Sequence, residues 1–512
     1  MTARRKNASE TTREAARGTP RLRVTSAILL PLALAQFMNS YGTSAMNVAI
    51  SDVTHDLHTS ITSVQASISL YTLVMAAGMI LGSKFADIFG RRRAFNAGVI
   101  LYGVGGLIAA VAPTISVMTT GYSIIQGIGS DLMIPALYIL ATVNYKDLKA
   151  RAAAFGIISG MAGVGGATGP LIGGVITTTL SWRWSFLLQV PVAIFILFLR
   201  SRVVDAEPPK SKPKLDLIGA IVSGTGMTLL VLGALLANQF GWVVAKKDLS
   251  IGGVTLPEGG ISPVVIFFAL GVILLLAFGW LCDRRERHGK EPLVPTRILF
   301  DRVAAAGLIV QSAQWFLQLG VLFLVTVFVQ QALGLNAVQS GLVMLPAIIG
   351  LLVLSRRASP LAERFSLRFI MQVGFVVAEI GILLLVLLAD QHGSAWRFAP
   401  GLLLLGSGMG LIMPASVTFV QSTSPEQDQA AISGVSRSAS NLGSSLGTAV
   451  AGSIMVVAVA GGANYQRALA FSLIGVAGAS LIGFIATFFI PERRATSPAK
   501  GVPHGAQRAT GA

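Results

Sequence analysis

Two carboxyl side chains, those of Asp131 and Glu379, lie within long apolar segments of the sequence. An ionisable group inside a lipid bilayer is costly, so it either serves a function or pairs with a nearby polar group. A carboxyl group at that depth can carry a proton or bind a cationic ligand, whereas a structural carboxylate needs only a hydrogen-bond donor on a neighbouring helix. The residues alone leave both roles open.

Polar side chains recur at helical spacing in two other apolar segments. In one segment Gln36 is followed at offsets of three, four, seven and eleven by Asn39, Ser40, Thr43 and Asn47. The other segment carries Gln311, Gln314, Trp315 and Gln318. At about 3.6 residues per turn each set forms one stripe, which faces either a cavity or a neighbouring helix. Because both segments keep the stripe, we favour a cavity that binds a mid-sized amphipathic molecule through amide groups and an aromatic ring.

Other kinds of site chemistry find no support in the sequence. Cys282 is the single cysteine, and the five histidines fall in predicted loops or tails, at positions 55, 58, 288, 392 and 504. This distribution argues against disulfides and zinc sites, and the sequence has no Walker loop for ATP. We therefore expect no enzymatic activity, no metal and no other cofactor.

The composition indicates the elements that hold these residues. Hydrophobic residues make up 53% of the chain and charged residues 12%, which is too little polar surface to cover a soluble domain of this size. We therefore expect an all-α polytopic membrane protein. Counting apolar segments of about 20 residues predicts fourteen membrane-spanning helices, at 25–50, 63–84, 94–112, 117–143, 152–180, 184–201, 216–238, 262–282, 303–332, 338–355, 368–389, 398–421, 430–458 and 467–490.

The net charge of +17 follows the predicted topology. Basic residues crowd the N-terminal tail and then recur in every second loop, at 91–93, 146–151, 200–214, 284–290, 356–368 and 493–494. Lysine and arginine stay on the cytoplasmic side of a membrane, so we predict a multi-pass protein of a bacterial-type plasma membrane with both termini in the cytoplasm. Anionic lipid is the natural partner of this charge, and nucleic acid is not expected.

The predicted helices contain an internal repeat. Gly127–Ala136 in helix four aligns with Gly406–Ala415 in helix twelve. The glycines of helix five also align with those of helix thirteen, Gly156 with Gly434, Gly165 with Gly443, Gly169 with Gly447 and Gly174 with Gly452. Helices one to six and nine to fourteen are therefore two copies of one unit, with helices seven and eight inserted between them. The predicted division is a basic cytoplasmic tail (1–24), a first six-helix repeat (25–201), an insertion of two helices with flanking loops (202–302), a second six-helix repeat (303–490) and a disordered cytoplasmic tail (491–512).

Several motifs resemble those of the major facilitator superfamily, and of its fourteen-helix drug:proton antiporter family in particular. The loop 84–93, with Asp87, Gly90, Arg91 and Arg92, resembles the superfamily signature after helix two. The run Gly165–Gly174, with Gly169, Pro170 and Gly173, is similar to the antiporter motif of helix five. Gln126–Gly129 with Pro135 resembles the family's helix-four motif, and Asn47–Ile50 resembles the end of its helix-one motif. Three positions depart from the family pattern. Gly42 stands where an aspartate is usual, Ser123 where an arginine is usual, and Ser83 where the loop motif has a glycine.

This resemblance implies a major facilitator fold with a substrate site at the midplane between the two repeats. It places Asp131 and Gln126 on a cavity-lining helix, with Asp131 in proton coupling or substrate recognition, and Glu379 on a peripheral helix in a structural or lipid-adjacent role. It implies a cytoplasmic latch of Asp87 with Arg91 and Arg92, and close helix packing at Gly165–Gly174. Arg437 is expected to extend to the headgroups, or alternatively to pair with an acid across the repeat interface.

The implied function is multidrug efflux by alternating access, with antibiotic resistance as its phenotype and a proton gradient as its energy source. The expected substrate is a small amphipathic organic compound, and the expected state is a monomer. Since Gly42 and Ser123 remove a carboxylate and a cation, an uncoupled or differently coupled carrier of a lipid or secondary metabolite is the first alternative. A transporter-like membrane sensor that moves no substrate is the second.

Overall fold

The computed structural model describes residues 26–145, 148–199, 216–251, 254–391, 393–424 and 428–492. The predicted tail 1–24, nearly all of the predicted tail 491–512 and the side chain of Asp87 lie outside this described part.

The first half of the described chain is helical. In chain order it contains α1 (Ser26–Val48), α2 (Ile50–Asp56), α3 (Ile61–Phe89), α4 (Arg91–Ala110), α5 (Ile115–Thr119), a π-helical turn (Thr120–Ile125), α6 (Gln126–Asn144), α7 (Leu148–Thr179), α8 (Trp182–Leu187) and α9 (Gln189–Leu199). The segment between the halves contains α10 (Leu217–Phe240), β1 (Leu249–Ile251), β2 (Val254–Leu256), α11 (Pro263–Arg287) and α12 (Thr296–Leu299). The second half contains α13 (Arg302–Gln331), α14 (Ala337–Val343), α15 (Leu345–Arg364), α16 (Leu367–Leu388), a 3-10 helix (Ala395–Phe398), α17 (Ala399–Ser422), α18 (Gln429–Ala460) and α19 (Tyr465–Thr487).

The helical membrane architecture is confirmed. Within the described residues, twelve helical segments are long and apolar enough to cross a membrane. Two further helices, α1 of 23 residues and α7 of 32 residues, are also long enough to cross a membrane. The count of fourteen spans therefore stays a prediction.

Helix ends follow local polar chemistry. Ser60 accepts a hydrogen bond from the N–H of Ser63 at the start of α3, and Asn336 forms a capping box with Gln339 at the start of α14. Gly90 joins α3 to α4 with a φ of 100°, a conformation that side chains disfavour. The turn itself therefore needs the glycine of the predicted cytoplasmic motif.

Equivalent helices of the two halves pack in equivalent pairs. α1 packs on α7 as α13 packs on α18, and α3 packs on α6 as α15 packs on α17. The halves meet where α3 contacts α18 and where α7 contacts α14. The inserted helix α10 packs on α11 and also on α3 and α18, so it contacts both halves.

The glycines of α7 divide between two interfaces. Gly165 and Gly169 lie against Phe37 and Ser44 of α1, within the first half. Gly174 instead lies against the carbonyl of Ala337 in α14, which belongs to the second half. The small size of these glycines therefore brings α7 close to α1 along the first part of the run and close to α14 at its end.

Candidate substrate cavity

A cavity of about 1100 Å³, part of it open to solvent, lies between the two halves of the described chain. Its wall comes from α1, α3, α6 and α7 of the first half and from α13, α15, α17 and α18 of the second. Six residues of the two predicted polar stripes line it, namely Gln36, Asn39, Ser40, Thr43, Trp315 and Gln318. Each polar stripe thus contributes to the wall.

The other predicted polar residues are buried outside the cavity wall. Gln126 donates hydrogen bonds to the carbonyl of Tyr102 (3.1 Å) and to Oε1 of Gln189 (2.9 Å). Gln311 accepts from Ser436 Oγ at 2.7 Å and so joins α13 to α18. The stripe is therefore partly an adhesive surface between helices, as polar groups in membranes often are.

Two further stripe residues bond within their own helix. Asn47 donates to the carbonyl of Thr43 at 3.3 Å, and Gln314 donates to Oε1 of Gln318 at 3.4 Å. Both side chains are buried and neither belongs to the cavity wall, so the expectation that both residues line the cavity is wrong for this conformation.

Asp131 lies behind the cavity wall and not in it. Its side chain is 5% exposed and points toward Gly78 of α3, where a Cβ would overlap the carboxyl group. Oδ1 has no hydrogen-bond partner among the described residues. The expectation that Asp131 faces the substrate is wrong for this conformation, because the two glycines Gly78 and Gly82 leave the space that it fills.

A short polar network connects the cavity wall to the neighbour of Asp131. Asn39 lines the cavity and donates to Ser130 Oγ at 2.7 Å and to the hydroxyl of Tyr71 at 3.1 Å. Ser130 directly precedes Asp131 in α6. The network therefore reaches the residue next to Asp131 in the chain, whereas the Oδ1 atom of Asp131 has no hydrogen-bond partner among the described residues.

Apolar and flexible side chains form much of the remaining wall. Five methionines line the cavity, at positions 75, 79, 344, 409 and 413. Methionine adapts its shape and is polarisable, so it is common at surfaces that accept varied ligands. No sequence motif marks these methionines, although each lies on a predicted helix that lines the cavity or is next to one that does.

Arg437 also lines the cavity, although the sequence predicted that it extends to the lipid headgroups. Its guanidinium lies 5.1 Å from the ring centre of Tyr138 and donates a hydrogen bond to the Tyr138 hydroxyl. The expectation that it extends to the headgroups is wrong, because α18 turns this face toward α6. Glu379, by contrast, is half-buried away from the cavity and accepts a hydrogen bond from Ser480 of α19.

At Gly42 and Ser123, where the family usually has charged residues, the structure has neutral hydrogen bonds instead. A side chain at Gly42 would overlap the hydroxyl of Tyr102, which donates to the carbonyl of Met38 at 3.2 Å. Ser123 donates to the carbonyl of Ser67 at 2.7 Å. Neutral hydrogen bonds therefore occupy both positions.

Direct contacts close the cavity at one end, which we call the outer end because its loops carry few basic residues. Ser51 donates to Oε1 of Gln330 at 2.9 Å, and Gln330 donates to the carbonyl of Val48 at 2.9 Å. The N–H of Val338 donates to Thr178 Oγ1 at 3.3 Å. Toward the opposite, inner end α7 has more room, since a Cβ at Gly160 or Gly166 would have no atom of the described side chains within 4 Å.

The cavity lies between two equivalent six-helix units, and the sequence matches a family of known architecture. The profile of the family described as Major Facilitator Superfamily matches residues 32–448. The chain belongs to the major facilitator superfamily.

Proteins named for antibiotic export or resistance are similar to this chain over most of its length. The cephamycin export protein of Amycolatopsis lactamdurans is 30% identical, over 81% of this chain and 82% of its own length. The puromycin resistance protein of Streptomyces alboniger is 29% identical, over 84% and 82%. A crystal structure of a POT family peptide transporter matches with a TM-score of 0.65, over 93% of this chain and 99% of the other, at 15% identity. At that identity the structural match supports the fold alone.

Proposed function

We propose that this major facilitator protein exports small amphipathic organic compounds from the cytoplasm by alternating access, in exchange for protons. The observation that carries the proposal is the cavity between the two halves, closed by direct contacts at the outer end. Substrate sites of this superfamily lie between the repeats. The antibiotic export and resistance proteins among its relatives support the direction of transport and the kind of substrate.

The cavity wall suits substrates that are partly apolar and partly polar. Methionine side chains offer adaptable apolar contact, while Asn39, Gln36 and Gln318 offer amide groups. Trp315 adds one aromatic face. A wall of this kind accepts several related compounds without a fixed hydrogen-bond pattern.

Asp131 is the proposed proton carrier. It is a buried carboxyl group with an unpartnered oxygen, it lies between α3 and α6, and the Asn39–Ser130 bond connects its surroundings to the cavity. Gaining or losing a proton changes the charge in a tight space between two helices. The proton would thereby alter the packing of α3 and α6 as the halves move.

The proposed orientation places the outer end outside the plasma membrane and both termini in the cytoplasm, following the distribution of basic residues. An outward-closed cavity then takes up substrate from the inside and releases it outside. Export is the direction that this arrangement favours.

The experiment is uptake of fluorescent dyes into inside-out membrane vesicles, with and without a proton gradient. The probes are cationic ethidium, the anionic 7-diethylaminocoumarin-3-carboxylate and its neutral ethyl ester. We expect the gradient to drive uptake of at least one probe, and Asp131→Asn to abolish the gradient dependence while the protein still inserts. Glu379→Gln is the matched control, because this half-buried carboxyl group is bound to Ser480 and is proposed to have no part in coupling.

Each outcome decides between the proposals. Uptake that ignores the gradient in the native protein supports the uncoupled carrier that Gly42 and Ser123 suggest, and rejects proton exchange. Equal loss of coupling in Asp131→Asn and Glu379→Gln rejects the specific role of Asp131. No uptake of any probe by a correctly inserted protein rejects export of these compounds and favours the sensor.

A further inference from the structure

The cavity wall carries a positive charge without a negative one. Arg437 is the single charged side chain among the described residues that line it, and Asp131 lies behind the wall. The other lining residues are amides, hydroxyls and apolar side chains. A bound molecule therefore meets a cation and no carboxylate in this part of the structure.

Arg437 has no acidic partner among the described residues, unlike several other arginines of the bundle. Arg183, Arg297 and Arg397 bind Asp56, Asp428 and Asp390 at 2.8, 2.6 and 2.6 Å. Arg437 instead contacts the hydroxyl and the ring face of Tyr138, and within the described chain no carboxylate lies within ion-pair distance of it. A guanidinium held against an aromatic ring is partly desolvated, which strengthens its attraction for an anion.

A second donor lies on the same face of α18. Asn441 follows Arg437 by one helical turn and lines the same cavity. Its Nδ2 is buried and has no hydrogen-bond partner among the described residues. A buried donor without a partner is costly, so this amide needs an acceptor that the protein itself does not provide here.

We propose that the substrates are amphipathic anions, whose carboxylate or similar acidic group binds the guanidinium of Arg437 and the amide of Asn441. This inference rests on the proposed export function and specifies its substrate class. Guanidinium groups bind carboxylates through paired, charge-assisted hydrogen bonds. The apolar body of the substrate would lie along the methionines, with the acidic group toward α18.

The same geometry connects substrate binding to the contact between the halves. Tyr138 belongs to α6 in the first half, and Arg437 belongs to α18 in the second. An anion that binds Arg437 competes with the Tyr138 hydroxyl for the guanidinium. Binding thereby weakens one link between the halves at the moment when the substrate is in place.

The test compares two probes that differ mainly in charge. Binding of 7-diethylaminocoumarin-3-carboxylate and of its ethyl ester is measured by fluorescence anisotropy with the purified full-length protein in lipid nanodiscs. The variants are Arg437→Gln, Arg437→Lys and Asn441→Leu. Arg368→Gln is the matched control, since Arg368 also lies over an aromatic ring, that of Phe488 at 5.4 Å, but outside the cavity wall.

We expect the native protein to bind the carboxylate more tightly than the ester. Arg437→Gln should weaken carboxylate binding about 10- to 100-fold, the range expected for lost hydrogen bonds to a charged group, and should leave ester binding within about twofold. Arg437→Lys should keep part of the preference, Asn441→Leu should reduce it, and Arg368→Gln should leave it unchanged. Thermal unfolding of each variant separates a binding defect from misfolding.

Two results would overturn the inference without touching the export function. One is a native protein that binds or transports the ester or ethidium as well as the carboxylate. The other is a folded Arg437→Gln protein that keeps the carboxylate preference. If no probe enters inside-out vesicles, the proposed export function fails instead, and the anisotropy data then report whether the cavity still binds anions.

Discussion

Asp131 occupies space that two glycines of α3 leave free. A Cβ on Gly78 would overlap its carboxyl group, and a Cβ on Gly82 would overlap its backbone carbonyl. The position of the carboxyl group therefore depends on the absence of side chains on the neighbouring helix. Glycine at helix interfaces in membranes allows this kind of close approach.

The first prediction follows from that contact. Gly78→Ala should displace the Asp131 carboxyl group and destabilise the protein by about 1–3 kcal/mol, the usual cost of overpacking. Thermal unfolding in detergent measures the stability, and vesicle uptake measures the effect on proton coupling. The double variant Gly78→Ala/Asp131→Ala should recover much of the lost stability, because the overlapping group is gone.

Gly160→Ala is the control for this prediction. Among the described side chains, a Cβ at Gly160 meets no atom within 4 Å, so the substitution should leave stability unchanged or slightly higher, as expected for alanine in a helix. Strictly additive effects of Gly78→Ala and Asp131→Ala would show that the two residues do not interact.

At the residue scale, the sequence predicted which side chains are polar and buried but not which way each one points. Gln36 and Gln318 line the cavity, whereas Gln311, in the same stripe as Gln318, bonds to Ser436. The choice depends on the rotation of each helix against neighbours that are distant in sequence. Arg437 was misassigned for the same reason, since its direction is set by α6.

At the element scale, one ion pair joins the two inserted helices. Asp216 is 1% exposed and binds Arg285 of α11, whose side chain is 28% exposed. The same carboxylate accepts a hydrogen bond from the N–H of Gly219 at 2.9 Å and so caps α10. One side chain therefore starts one helix and ties it to the next.

The second prediction separates these two roles. Asp216→Ala should lower the free energy of unfolding by about 3 kcal/mol or more, because it removes the cap and leaves Arg285 without its partner in a partly buried site. Asp216→Asn should cost less, because the amide oxygen can still cap α10. Thermal unfolding of the purified variants tests this order.

Asp301→Ala is the control for capping alone. Asp301 accepts a hydrogen bond from the N–H of Val303 at 2.8 Å at the start of α13, and it has no ion pair among the described residues. Its removal should cost about 1 kcal/mol, the usual value of a helix cap. Equal losses for Asp301→Ala and Asp216→Ala would contradict a stabilising role of the pair with Arg285.

The helices were predictable from the sequence, and the short hairpin was not noticed. A helix of about 20 apolar residues has a strong signal, because lipid demands both length and low polarity. The strands Leu249–Ile251 and Val254–Leu256 pair in a two-stranded sheet in a segment that was treated as a loop. Alternating residues on either side of Gly252 and Gly253 were the available signal.

At the scale of the whole molecule, the internal repeat made the family and the position of the cavity predictable. Glycine and proline matches survive in both copies because they set how closely helices approach. The repeat does not predict which end of the cavity is closed, because that depends on a few contacts between the halves. The Ser51–Gln330 and Gln330–Val48 bonds have no counterpart in the repeat pattern.

The last prediction concerns the movement of the halves. In a Cys282→Ala background, Ser51→Cys/Gln330→Cys should react with a short bis-methanethiosulfonate linker, since the native side chains are 2.9 Å apart. If transport requires the outer end to open, the linker should abolish vesicle uptake of the coumarin probe, and a reductant should restore it.

The control is Ser312→Cys/Ala439→Cys, which joins α13 to α18 within one half, where Ser312 Oγ lies 2.9 Å from the Ala439 carbonyl. This linkage should leave uptake intact, because both helices move together. Full transport with the outer end linked would mean that substrate leaves by another route, and equal inhibition by both linkages would point to damage unrelated to opening.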